Sequence, residues 1–208
     1  MTDTGAVPVS HWRRNRVLYL LVAVTLAPIL ASYFAYYVLP PKGRTNYGTL
    51  VEPQRPVPAI PATGLDGTAF DLRALKDKWV LVMADAAACD EYCQSKLFHM
   101  RQQRTMTGKE REEIERVWLI TDREPVSNLL IREYEGTYFA RVDERDIRPL
   151  LALPDTEGAN LRDHIWLIDP YGNLMLRWPR NPDPKGTKND IARLLKASSL
   201  WTRIERKD

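Results

Sequence analysis

The chain has 208 residues, a formal net charge of +3 and 44% hydrophobic residues, a composition that suits one folded domain with additional segments. Its 30 basic and 27 acidic residues are interspersed, so it lacks the one-signed stripe expected of a nucleic-acid-binding protein.

The first long apolar segment runs from 17 to 39 without a charged residue. A helix of this length rises ~1.5 Å per residue and is therefore long enough to cross a bilayer. Arg13, Arg14 and Arg16 precede it, so residues 1–16 are expected in the cytoplasm and the remainder on the far side. A cleaved signal peptide is the alternative, but it would have a shorter apolar region ending at small residues. We therefore expect a single-pass protein of a bacterial inner membrane with a periplasmic C-terminal domain.

Residues 40–63 contain six prolines: Pro40, Pro41, Pro53, Pro56, Pro58 and Pro61. Proline removes a backbone donor and favours the polyproline II conformation, which acts as a stiff spacer. The sequence therefore predicts a linker over 40–63 and a folded domain over 64–208.

Within that domain, strand and helix patterns alternate. Apolar runs predict strands at 80–84, 117–121, 138–142, 164–169 and 174–178, and periodic segments predict helices at 90–106, 125–134, 146–153 and 188–198. The last two strands are joined by a Pro-Tyr-Gly-Asn turn and are expected to pair as a hairpin. This order indicates an α/β fold with a mixed sheet. The charge-rich stretch 101–116 is expected to form a solvated face.

The two cysteines of the chain, Cys89 and Cys93, follow the strand at 80–84 and begin the helix at 90–106. Residues four apart share one helix face, so both sulfurs can meet at one soft metal ion or bond to each other. Cysteine pairs in exported proteins are usually structural disulfides, but a loop this short constrains little of the unfolded chain. Asp90 and Glu91 oppose thiolate formation and attract cations, which favours metal binding over thiol exchange. An inert or buried disulfide is the structural alternative.

The order strand, cysteine loop, helix, strand, helix, hairpin and helix resembles a thioredoxin fold. Cys-x-x-x-Cys, with Asp163-His164 ahead of Leu-Ile-Asp-Pro-x-Gly, resembles the Sco/SenC family over residues 57–200. That family consists of membrane-anchored copper proteins that help to assemble the binuclear copper centre of cytochrome c oxidase. The resemblance implies Cys89 and Cys93 as a redox pair and as thiolate ligands of Cu(I), with His164 as the imidazole ligand. Asp90 and Gln94 depart from the family, which has proline after each cysteine.

Three functions follow from these patterns and this resemblance. The first is a metallochaperone that passes Cu(I) to the copper-binding subunit of cytochrome c oxidase or to another assembly factor. The second is a thiol-disulfide oxidoreductase that keeps the cysteines of a respiratory copper centre reduced, which leaves open whether the protein is an enzyme. The third is a non-catalytic assembly factor. The first two require accessible sulfurs that can meet at a common point.

Overall fold

The computed structural model describes residues 11–38, 46–151, 153 and 158–205. It divides into two units, Met1–Thr45 and Asn46–Asp208. In the first unit, α1 spans His11–Val38 with Pro28 inside it, and its stretch Asn15–Val38 is long and apolar enough to cross a membrane. The prediction of one N-terminal apolar helix is confirmed. Of the predicted cytoplasmic residues 1–16, residues 1–10 lie outside the described residues, as do residue 39 of the predicted membrane helix and residues 40–45 of the predicted linker.

The second unit is built on an eight-stranded mixed sheet with the strand order β1-β8-β7-β4-β5-β6-β2-β3. β4 pairs in parallel with β5, and β5 with β6, whereas the other neighbours are antiparallel. The strands are β1 Thr49–Pro56, β2 Ala62–Gly64, β3 Ala69–Phe70, β4 Trp79–Asp85, β5 Ile114–Ile120, β6 Tyr138–Val142, β7 Ile165–Ile168 and β8 Asn173–Trp178. The helices are α2 Glu91–Met106, α3 Asn128–Glu133, α4 Glu144–Ile147 and α5 Pro184–Glu205.

Two hydrophobic clusters lie on the two faces of this sheet, because successive strand residues point to opposite sides. In β4, Val80 and Val82 belong to the first cluster, and Leu81 and Met83 belong to the second. The second cluster contains buried residues of α2, α3 and α5 together with Cys89 and Cys93: Cys93, Leu97, Met100, Leu130, Ile191 and Leu195 are examples. The cysteines therefore lie on the face covered by α2, α3 and α5. The predicted thioredoxin-like arrangement of a mixed sheet flanked by helices is confirmed.

The predicted spacer at 40–63 is wrong from Thr49 onward. Residues 49–56 form β1, which pairs with β8 at one edge of the sheet, and its register shifts between Leu50 and Arg55, on either side of Pro53. An edge strand tolerates proline at such an irregularity, because its outer row of backbone donors has no partner strand. Val51 is also buried in the core. The second unit therefore begins at Asn46, before the predicted boundary at 64.

The predicted solvated face at 101–116 is wrong at three buried residues, Gln103, Ile114 and Arg116. Arg116 lies within β5 and is only 4% exposed. Its guanidinium donates to the carbonyl of Glu135 at 2.8 Å, near the C-terminal end of α3. Burial, followed by repulsion from Arg104 and Arg101, lowers the pKa of Arg116 to about 10. A charged residue in this stretch is thus part of the interior.

Candidate functional site

The cysteine loop, residues 86–90, connects the end of β4 to the beginning of α2. Asp90 is the N-cap of α2, and its carboxylate accepts a hydrogen bond from the backbone N–H of Cys93 at 2.8 Å. Asp90 is favoured at this position because its side chain satisfies an amide that has no partner within the helix. Cys89 therefore precedes the helix, rather than beginning it, and its φ of 41° lies in the left-handed region.

The two cysteines are joined by a disulfide with a Cα–Cα distance of 5.0 Å. The sequence prediction that the two sulfurs can meet at a common point is therefore realised in the structure. The expectation of accessible sulfurs is wrong for this disulfide form, because Cys89 is only 2% exposed and Cys93 is fully buried. Both sulfurs are therefore shielded from solvent in this form.

Backbone and side-chain hydrogen bonds hold this loop in place. The backbone N–H of Ala87 donates to both carboxylate oxygens of Asp122, at 3.1 and 3.2 Å. The side-chain amide of Gln94 donates to the carbonyl of Cys89 at 3.0 Å. Asp122 is not among the site residues that the sequence predicts. A signal was available, since Asp122 closely follows β5, and the carboxyl ends of the parallel strands β4 and β5 meet at one edge of the sheet.

A buried ion pair lies next to the loop and was also missed by sequence analysis. The ammonium of Lys96 contacts the Asp85 carboxylate at 2.7 Å, with side chains 1% and 8% exposed. The same ammonium donates to the backbone carbonyl of Arg162. Burial lowers the pKa of Lys96, and the attraction of Asp85 opposes that shift. The pair connects the end of β4, helix α2 and the turn before His164.

His164 lies at the end of that turn, immediately before β7, and is 8% exposed. Its Nδ1 is 2.9 Å from the carbonyl oxygen of Trp178. A carbonyl can only accept, so Nδ1 carries the proton and Nε2 keeps the lone pair that a metal ion would use. Burial lowers the pKa of His164, although the hydrogen bond to Trp178 raises it. Burial therefore favours the neutral ring, which is the form that binds a metal ion.

The ring contact of His164 is with a residue on the other face of the sheet. Its ring makes an edge contact with Trp166, at a centroid distance of 5.7 Å, and Trp166 belongs to the hydrophobic cluster opposite the disulfide. Within the part of the chain that the structure describes, no group of three or more His, Cys, Asp or Glu residues could hold a metal ion. After reduction, the two thiolates are soft donors suited to Cu(I). The role of His164 as a third ligand stays a prediction.

A protein-family model matches the part of the sequence that forms this site. The family model described as "Transmembrane-like, thioredoxin-like, C-terminal domain" matches residues 79–198, which include the cysteine loop, α2 and His164. The match covers more than half of the chain. No curated protein matches the sequence.

Several solved structures share the fold. Copper-bound yeast Sco1 is 16% identical, with a TM-score of 0.53 over 69% of this chain and 90% of that one. BsSco, described as a member of the Sco family of cytochrome c oxidase assembly proteins with a disulfide switch, is 16% identical, with a TM-score of 0.54 over 73% and 99%. A SCO1/SenC family lipoprotein from Bacillus anthracis is 18% identical, with a TM-score of 0.52 over 70% and 99%. At these identities the likeness shows the fold, which is that of the Sco proteins. By its own sequence, the chain belongs to the family of transmembrane-like, thioredoxin-like C-terminal domains.

Proposed function

We propose that this protein is a membrane-anchored, Sco-like copper metallochaperone whose cysteine pair alternates between a closed disulfide and an open, Cu(I)-binding dithiol. The observation that carries the proposal is the bond between Cys89 and Cys93 across one turn at the beginning of α2. Side chains close enough to bond to each other are also close enough to bind one ion. The Sco proteins that share this fold include a copper-bound form and one with a disulfide switch, which supports the proposal.

The proposed cycle begins with reduction of the disulfide by an external dithiol. One reductant thiolate attacks a sulfur of the pair and releases the other as a thiolate, and the second reductant thiol then displaces the first cysteine. Two electrons pass to the pair, and the reductant leaves as a disulfide. Cu(I) then binds both sulfurs as thiolates, and a sulfur that is still a thiol releases its proton to water. Cu(I) leaves when soft ligands of the recipient protein compete for it.

We include His164 in the proposed copper site as the third donor. The antiparallel register pairs Met83 with Ile165, so residue 164 lies beside the C-terminal end of β4, where the cysteine loop begins. The Trp178 carbonyl fixes Nδ1 and leaves Nε2 available, the arrangement typical of metal-binding histidines. In this proposal His164 joins the two thiolates when the cysteine loop opens.

The proposed cellular setting is a bacterial inner membrane, with the N-terminus in the cytoplasm and the folded unit in the periplasm. Helix α1 and the preceding Arg13, Arg14 and Arg16 support this orientation through the positive-inside rule. The proposed recipient is the copper-binding subunit of cytochrome c oxidase or another assembly factor. The fold shared with BsSco, a protein described as belonging to a family of oxidase assembly proteins, supports this choice.

Copper titration of the reduced protein tests the proposal. With a chromophoric Cu(I) chelator as competitor, the wild type is expected to bind one Cu(I) per chain, and Cys89→Ser to bind at least a hundredfold more weakly. Ser95→Ala, also on α2 but facing solvent, is the control and should match the wild type. An unchanged affinity in Cys89→Ser would contradict the proposal.

A thiol-disulfide oxidoreductase is the second candidate, favoured by the disulfide itself. It requires the cysteine pair but not His164. Exchange with a dithiol partner that stays intact in His164→Ala, together with weak copper binding, would select this function. The burial of both cysteines favours the non-catalytic assembly factor. Oxidase assembly supported by the double Cys89→Ser/Cys93→Ser variant would select that alternative.

A further inference from the structure

Cys89 has an unfavourable backbone conformation that its surroundings must maintain. Its φ of 41° lies in the left-handed region, where a side chain with a Cβ is disfavoured. This conformation turns the chain between the end of β4 and Asp90, the N-cap of α2. It also accompanies the burial of Cys89 at 2% exposure. A non-glycine residue in this region persists where neighbouring contacts hold it.

Gln94 makes the side-chain contact that holds the backbone of Cys89. Its amide Nε2 donates to the Cys89 carbonyl at 3.0 Å. Its own backbone is fixed in the helix, because its N–H donates to the carbonyl of Asp90 at 2.9 Å and its carbonyl lies 3.4 Å from the donating hydroxyl of Tyr134. The hydrogen bond therefore ties the loop residue to an anchored position on α2, next to the disulfide.

The Gln94 hydrogen bond and the disulfide both link Cys89 to the first turn of α2, over nearly the same number of residues. The disulfide joins positions 89 and 93, and the hydrogen bond joins positions 89 and 94. Opening the loop to expose a sulfur requires the Cys89 carbonyl to move away from the amide of Gln94. The bond from Ala87 to Asp122 secures the other end of the loop, so the two contacts hold it from both sides.

We propose that Gln94 is a latch: a positioning residue that keeps Cys89 closed over Cys93 and controls how fast a reductant reaches the disulfide. The inference deepens the proposed function, because it names the residue that regulates entry into the copper-binding state. The contact that Gln94 makes with the loop is its hydrogen bond to the backbone carbonyl of Cys89. It acts through the carbonyl of Cys89.

The test measures the rate at which dithiothreitol reduces the disulfide in the full-length protein in detergent micelles, without copper. Dithiothreitol supplies the two electrons and leaves as its cyclic disulfide. Gln94→Met removes the donor at nearly constant volume and is expected to raise the second-order rate about three- to tenfold, the factor for losing one hydrogen bond. Gln102→Met is the matched control, since it makes the same change eight residues further along α2, and it should react at the wild-type rate.

A second variant separates the latch from a general loosening of the fold. Gln94→Lys keeps a donor long enough to reach the carbonyl, so its reduction rate is expected to stay close to that of the wild type. Equal rates for Gln94→Met and Gln102→Met would overturn the proposal, as would a Gln94→Lys rate as fast as that of Gln94→Met. The assay contains no copper. A protein that fails to bind Cu(I) would contradict the proposed function and leave the latch result unaffected.

Discussion

At the scale of single residues, buried charges determine how the cysteine loop is built. Lys96 is three positions after Cys93 and points to the interior, where its ammonium meets Asp85 at the end of β4. Charged residues rarely lie fully inside a protein unless they are paired, so a sequence pattern assigns them to the surface by default. The pairing of Lys96 and Asp85 depends on how α2 lies against β4, which neither residue reveals by itself. The same reasoning predicts a solvated position for Arg116, which the structure buries.

Replacing Lys96 by Met is expected to destabilise the folded unit by about 3 kcal/mol, because it leaves the buried Asp85 carboxylate with the more distant, partly exposed Arg162 guanidinium at 4.0 Å. Urea unfolding of residues 46–208 measures the change. The double variant Lys96→Met/Asp85→Asn removes both charges and should recover most of the loss. Equal losses in the single and double variants would show that packing, rather than the ion pair, is responsible.

At the scale of elements, the strands and helices around the cysteine pair were predictable and the edge of the sheet was not. β4 is buried throughout and carries an uninterrupted apolar run, so its sequence pattern is strong. β1 contains Pro53 and Pro56, which are typical of a spacer, and only its pairing with β8 makes it a strand. Because pairing depends on residues more than a hundred positions away, local sequence could not predict it. The burial of the disulfide also depends on residues distant in the sequence, so the local pattern could not predict it.

The beginning of β1 is fixed by α5 through one buried carboxylate. Asp190 is 2% exposed and accepts from the backbone N–H groups of Tyr47 and Gly48, at 2.9 and 2.8 Å. It also accepts from the indole Nε1 of Trp178 at 3.0 Å. The Asp190 side chain therefore connects the beginning of the folded unit to β8. The Trp178 carbonyl in β8 in turn holds His164, the proposed third ligand.

Asp190→Ala is expected to lower the free energy of unfolding by about 3 kcal/mol, since it leaves three donors without their acceptor. Amide hydrogen exchange should increase most in β1 and at the end of β8. Asp183→Ala, which removes an exposed carboxylate bonded to the Gly186 amide, is the control and is expected to cost about 1 kcal/mol. Exchange in β1 that stays at the wild-type rate in Asp190→Ala would contradict this role.

At the scale of the whole molecule, the protein combines one apolar N-terminal helix with a thioredoxin-like unit whose disulfide is closed. The fold class and the pairing of Cys89 with Cys93 could be predicted because both depend on residues close together in sequence. The position of His164 relative to the two cysteines could not be predicted, because a shift of one residue along β7 moves a side chain to the other face of the sheet. We therefore propose that copper binds to an open form of the cysteine loop, which forms when the disulfide is reduced.

The most direct test compares copper binding by the two redox forms of the same full-length protein. Equilibrium dialysis against a Cu(I)–chelator buffer, followed by metal analysis, gives the copper bound per chain. We predict one Cu(I) per chain for the reduced protein and none for the disulfide form, with binding restored when the oxidised sample is reduced. Equal copper in both forms, or none in either, would contradict the proposal that Cys89 and Cys93 bind Cu(I) as a dithiol.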